Sequence, residues 1–295
     1  MRLFMFEKKN EAADAASSGP GNVGLALAEG GFFRGLSSSH PEYPGDLDRL
    51  MALGASFEEI GRLLTRSGEE LDPTAIGFLP PLTRPGKIIC LGMNYRAHTE
   101  EFKRQAPAYP ELFVRFPTTL VGHLRPILKP AASDQLDYEG EMAAVIGRAG
   151  RHISRDRAHD HIIAYSIFND ASVRDFQMRG LQWTPGKNFD STGAFGPWLV
   201  GAEALPPGGR GLHLTTRLNG LTMQQASTDD MIFDLAEQIS VISQIMTLLP
   251  GDVIVTGTPG GVGYGREPKV FMRPGDECEV EIEGIGLLCN PVEAE

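Results

Sequence analysis

The most regular apolar spacing in the chain covers residues 233–249, FDLAEQISVISQIMTLL. Together with the residue just before it, apolar side chains fall at positions 232, 235, 239, 242, 245, 246 and 249. That interval of three to four residues predicts an amphipathic helix, stopped by Pro250 and Gly251. A second helical spacing runs from Leu47 to Leu64 and is interrupted near Gly54. Elsewhere the apolar residues gather in short runs bounded by glycine and proline: KIICLG, EGEMAAVIG, HIIAYSIFND, DVIVTGT, CEVEIEG and GLLCNPV. Such runs predict strands or buried strand-like segments. NYRAHTEEFKRQ predicts a turn leading into a short helix, and the small, polar residues 11–24 predict a long loop. The proline-rich FLPPLTRPGK reads as a connector ending near Pro85. It separates a small N-terminal domain, residues 1–80, from a larger one, residues 81–295. The fold class expected is mixed α+β and rich in strands.

Composition narrows the function. The 295 residues are 41% hydrophobic and 22% charged, with a formal net charge of −11. A broad nucleic-acid-binding face is excluded by that balance, and so is a polybasic membrane patch. No apolar stretch approaches the ~20 residues that span a bilayer, and the start shows no signal-peptide pattern. Three cysteines, Cys90, Cys278 and Cys289, are an odd count without CxxC spacing. A reduced, cytoplasmic protein is expected.

The chemistry starts at LDYEGEM, residues 136–142. Glu139 and Glu141 are two apart and share one face of a strand, with Cα atoms ~7 Å apart. Like charges so close repel unless a cation or a proton lies between them. A third acid, Asp170, closes the run AYSIFND. Three carboxylates without a thiolate suit Mg²⁺ or Mn²⁺. Strand-end surface acids are the alternative, because an ExE pair is common. In NYRAHTEE, His98 and Glu101 lie at i, i+3. On a helix the glutamate would fix the imidazole tautomer and make a general base. A surface histidine is the plainer alternative. Lys187 in TPGKNFD could polarise a carbonyl or hold an enolate, or be a solvated loop charge. Arg174 and Gln177 in SVRDFQ could bind a substrate carboxylate or brace the site. The glycines of TGTPGGVGYG would let backbone N–H groups approach an anion, although neither a phosphate loop nor a dinucleotide fingerprint is present.

Taken in order, NYRAHTEE, YEGE, FND, SVRDFQ, GKNFD and TGTPGGVG resemble the fumarylacetoacetate hydrolase family from about Arg84 to Val292. The resemblance implies a β-rich mixed sandwich or roll, usually dimeric, often with a smaller N-terminal domain. It implies Mg²⁺ or Mn²⁺ on Glu139, Glu141 and Asp170, and a His98–Glu101 dyad on a lid segment. The family lysine falls on Lys187, and the threonine that helps hold a substrate carboxylate falls on Thr258. The implied activity is metal-dependent hydrolysis of a C–C bond in a 2,4-dioxo acid of the acylpyruvate or fumarylpyruvate type. Oxaloacetate decarboxylation, isomerisation of 2-hydroxyhepta-2,4-diene-1,7-dioate and a catalytically silent metal-binding protein are the alternatives. The partner expected is a small 2-oxo acid, within a homodimer. STGAFGPW, after Asp190, is smaller and richer in glycine than the form the resemblance leads one to expect.

Overall fold

The computed structural model describes residues 1–9 and 22–295, so most of the loop expected across residues 11–24 lies outside the described residues. Two β-sheets pack face to face. At the centre of the larger one is the strand Gly140–Ile146, buried along its whole length. Antiparallel neighbours flank it, Ile162–Asp170 on one side and Val253–Val255 on the other. The strand Ile88–Gly92 then pairs parallel to Val253–Val255. Both faces of these strands are covered, which is why they read as continuous apolar runs and not as alternating ones.

Alternation still decides what each face touches. Met142, Ala144 and Ile146 meet Leu214, Val280 and Leu288 of the second sheet, which has five strands. Ala143 and Val145 point the other way, into a core shared with Leu47, Phe57, Ile60 and Leu64. Those residues belong to two helices, Leu47–Ala52 and Phe57–Ser67, broken at Gly54 as the spacing predicts. Ser56 caps the second helix reciprocally with Glu59, satisfying donors that a helix start leaves open.

The N-terminal segment is joined to the rest by backbone hydrogen bonds. Strand Arg2–Lys8 pairs with Gly193–Gly201, placing Leu3 opposite Leu199, and its neighbours Val23–Glu29 and Phe32–Ser37 extend the same sheet. Leu3 and Met5 share one hydrophobic cluster with Cys90, Val145 and Phe168.

One element differs from its spacing. The helix expected to reach Leu249 spans Leu235–Ile245, with Asp234 as its cap. Met246 is already extended, and Leu248 exchanges both backbone hydrogen bonds with Gly150 at 2.9 Å. Apolar residues at 246 and 249 continue the helical period, but a bridge to the turn after the central strand wins the backbone. Among the described residues no helix is long and apolar enough to cross a membrane.

Replacing Leu3, fully buried, with alanine should lower global stability by about 2–5 kcal/mol. In denaturant titrations of the Trp183→Phe variant, Trp198 would report a single transition at a lower midpoint. An early separate transition would show that the N-terminal strands melt on their own.

Candidate functional site

Register builds the site. The N–H of Asp170 donates to the carbonyl of Glu139, and Glu141 sits opposite Phe168. Glu139, Glu141 and Asp170 therefore emerge on one face at one end of the central strand pair. All three are buried, and one oxygen from each lies within 4.8 Å of the others. They are therefore not solvated surface acids, although Glu139 and Asp170 do form ion pairs.

Cations stand among these acids. The Lys187 ammonium donates to Glu139 Oε2 and Asp170 Oδ2, both at 2.6 Å, from a single helical turn, Thr184–Lys187. It also lies 4.9 Å from the centre of the Phe113 ring. It is thus a buried cation and not a solvated loop charge. Arg174 donates to Glu139 Oε1 at 2.7 Å, to Asp137 at 2.8 Å and to Gln177 Oε1 at 2.9 Å. Arg115 donates to Asp170 Oδ1 at 2.5 Å and to Thr192 at 2.8 Å.

The two glutamates of one strand respond in opposite directions. Burial pushes the Glu139 carboxyl up, but Lys187 and Arg174 outweigh it and hold the group at about 2. Burial pushes Glu141 well above the usual carboxylate range, and the nearby charges of Asp170 and Glu139 push it further. Lys187 loses charge stability by burial, yet Asp170 and Glu139 raise it overall.

His98 and Glu101 lie on the short helix Arg96–Glu101. Nδ1 of His98 is 3.4 Å from Glu101 Oε2, and the carboxylate is anchored by the Gly261 N–H at 3.2 Å. The histidine is buried, its ring edge-on to Phe102. His98, Glu139, Glu141, Arg174, Gln177, Lys187 and Thr258 line one recess of ≈ 490 Å³, counting its open mouth. Glu101 stands behind His98. Thr258 donates to the Gly140 carbonyl at 3.0 Å and accepts from Gln224 at 2.8 Å.

The glycine-rich loop does bind anions, and they are the protein's own. The Gly257 N–H donates to Glu141 at 2.5 Å, Gly261 to Glu101, and Gly263 and Tyr264 to Asp137 at 2.8 and 2.9 Å. Gly257 has φ +98°, and a Cβ there would come within 2.7 Å of Asn94 Cβ. Only glycine takes that backbone without strain.

Four supporting residues escaped the sequence reading: Arg115, Asp137, Gln224 and Asn94. Gln224 accepts from the Gly140 N–H and donates to Thr258 and Pro259, tying the second sheet to the loop. Asn94 makes three hydrogen bonds to the backbones of Phe233 and Thr256. For Arg115 a signal existed. It ends the apolar run LFV, and Gly193 leaves it room, since a Cβ there would sit 3.0 Å from the guanidinium. The first glycine of STGAFGPW has this physical reason.

Residues 87–293 match the fumarylacetoacetate (FAA) hydrolase C-terminal family. The chain belongs to the fumarylacetoacetate hydrolase family. Oxaloacetate tautomerase FAHD2A, mitochondrial, of Bos taurus is 37% identical over 295 residues, 99% of this chain and 91% of that protein. Fumarylacetoacetate hydrolase from the psychrophile Exiguobacterium antarcticum superposes with a TM-score of 0.84 at 33% identity, over 100% of both chains. Maleylpyruvate hydrolase from Sphingobium sp. SYK-6, in complex with manganese (II) ion and pyruvate, superposes with a TM-score of 0.77 at 26% identity. That match covers 100% of this chain and 99% of the other. The family fold is thus the strand-rich sandwich described above, and these relatives are enzymes of more than one reaction class.

The donor set fits a hard divalent ion. It offers three carboxylates and no thiolate, and the acid pushed upward, Glu141, is the one of the three without an ion pair among the described residues. Because coordination needs the carboxylate and the surroundings of Glu141 favour its acid form, binding should be linked to proton release. Adding Mn²⁺ should release protons, read by calorimetry in buffers of different ionisation heat. Metal affinity should rise with pH. Release unchanged in Glu141→Gln would contradict the assignment.

Proposed function

We propose that the protein is a divalent-metal-dependent enzyme that acts on a small 2-oxo acid through its enol, interconverting the keto and enol forms of oxaloacetate or a close analogue. The observation that carries this reading is one oriented imidazole, His98, in the same recess as a buried carboxylate triad and a buried ammonium. Full-length similarity to an oxaloacetate tautomerase supports tautomerisation among the possible outcomes.

Glu139, Glu141 and Asp170 would hold Mg²⁺ or Mn²⁺, which when bound supplies Lewis acidity to a 2-oxo oxygen. Glu101 engages Nδ1 of His98, which leaves Nε2 to carry a proton to or from C3 of the substrate. The Lys187 ammonium favours negative charge on the enol oxygen, being fixed in place before reaction. Arg174 keeps Glu139 ionised and, with Gln177 and Thr258, forms the polar wall for the carboxylate end. Phe102, Phe113 and Trp183 line the same recess and restrict water there.

A second reading, hydrolysis of a 2,4-dioxo acid, is favoured by the dyad itself. A glutamate-held imidazole can activate water for attack on a 4-carbonyl, a step tautomerisation does not need.

The test follows enol absorbance of oxaloacetate and of acetylpyruvate, with Mn²⁺ and again with EDTA. EDTA-sensitive ketonisation of oxaloacetate without loss of carbon is expected. His98→Ala should cut kcat by about 10²–10⁴ while leaving Mn²⁺ affinity unchanged. Rapid formation of acetate and pyruvate from acetylpyruvate would move the assignment to hydrolysis. Full activity in His98→Ala would exclude the dyad from either reaction.

A further inference from the structure

Three cations line the recess, and they are not equivalent. Lys187 is held by Glu139 and Asp170, and Arg174 by Asp137 and Glu139, at 2.6–2.8 Å. The third, Arg104, is exposed and makes no ion pair or side-chain hydrogen bond among the described residues. It lies just beyond the short helix that carries His98, its N–H donating to the Thr99 carbonyl at 2.9 Å. Arg104 borders both the recess and a groove that continues outward from it, sharing Phe113, Gln177, Met178 and Trp183. One acid, Glu111, lines that groove and forms no ion pair with Arg104.

The lining therefore changes character with depth. The floor carries carboxylates and their paired cations. Phe102, Phe113 and Trp183, half-buried, and Met178, exposed, form an apolar collar between these buried groups and Arg104, an exposed arginine with five donors and no acid partner among the described residues. A ligand ending in the collar would leave Arg104 to solvent. One extending past it with a second carboxylate would meet a planar, bidentate donor at the mouth.

We propose that Arg104 is a specificity-determining residue that binds the far carboxylate of a 2-oxo dicarboxylate whose middle carbons cross the apolar collar. This rests on the 2-oxo acid reading of the site, where oxaloacetate is already a diacid, and adds the residue that reads the far carboxylate and the longer spacer it admits. It favours diacids with an apolar spacer over pyruvate-like monoacids.

A matched pair separates the two claims. Calorimetry of the Mn²⁺-loaded protein would compare 2-oxoadipate with 2-oxohexanoate, which has the same carbon count and lacks the far carboxylate. Binding is read directly, so the result does not depend on which reaction is catalysed. The wild type should bind the diacid about tenfold more tightly, since hydrogen bonds to charged groups contribute on that scale. Arg104→Gln should weaken only the diacid, to the level of the monoacid, and Arg104→Lys should restore part of the difference. The preference should shrink as salt rises. Equal wild-type affinity for the two acids, or equal loss of both in Arg104→Gln, would overturn the role of Arg104 alone. Failure of both acids to bind would overturn it together with the 2-oxo acid reading.

Discussion

Glu139, Glu141 and Asp170 are buried with their oxygens inside 4.8 Å, in surroundings where like charges repel far more strongly than in water. Nearly every other feature of the site answers that repulsion. Lys187 bridges two of the acids, Arg115 takes the remaining oxygen of Asp170, and Arg174 takes that of Glu139. Removing one member of such a buried ion pair typically costs 3–5 kcal/mol, so the cations hold the fold as well as the chemistry.

The compensation is uneven, and the unevenness is useful. Glu139 has two cationic partners and stays ionised, while Glu141 has one backbone N–H and is driven toward its neutral acid. Two carboxyls two residues apart are thus pushed in opposite directions because of where Lys187 and Arg174 stand. The fold leaves one acid short of positive charge, a deficit that a divalent ion would fill. The glycine-rich loop works on the same principle, giving its N–H groups to Glu141, Glu101 and Asp137.

Much of this was legible in the chain. Period-two geometry put Glu139 and Glu141 on one face, and the apolar runs located the strands that carry them and Asp170. The i, i+3 spacing paired His98 with Glu101. What stayed hidden were partners distant in sequence. Arg115 reaches Asp170 across 55 positions, and Gln224 joins Gly140 across 84. Nothing local in MQQA announces its contact, and FVRF shows only an arginine at the end of an apolar run, not the acid it meets. The helix end at Ile245 was missed for a related reason, since the apolar period runs on while Leu248 bonds to Gly150. The N-terminal 80 residues carried no motif, yet Leu3 lies opposite Leu199 in the main sheet. Strand pairing depends on register and on burial elsewhere, and a single stretch of sequence records neither.

The central claim is that the carboxylate triad is a divalent-metal site. Mn²⁺ titration followed by electron paramagnetic resonance tests it most directly, because free and protein-bound ions give different signals. The account predicts one tight Mn²⁺ per chain in the wild type and its loss in Asp170→Asn. Mn²⁺ held equally well by Asp170→Asn, or not held by the wild type, would contradict it.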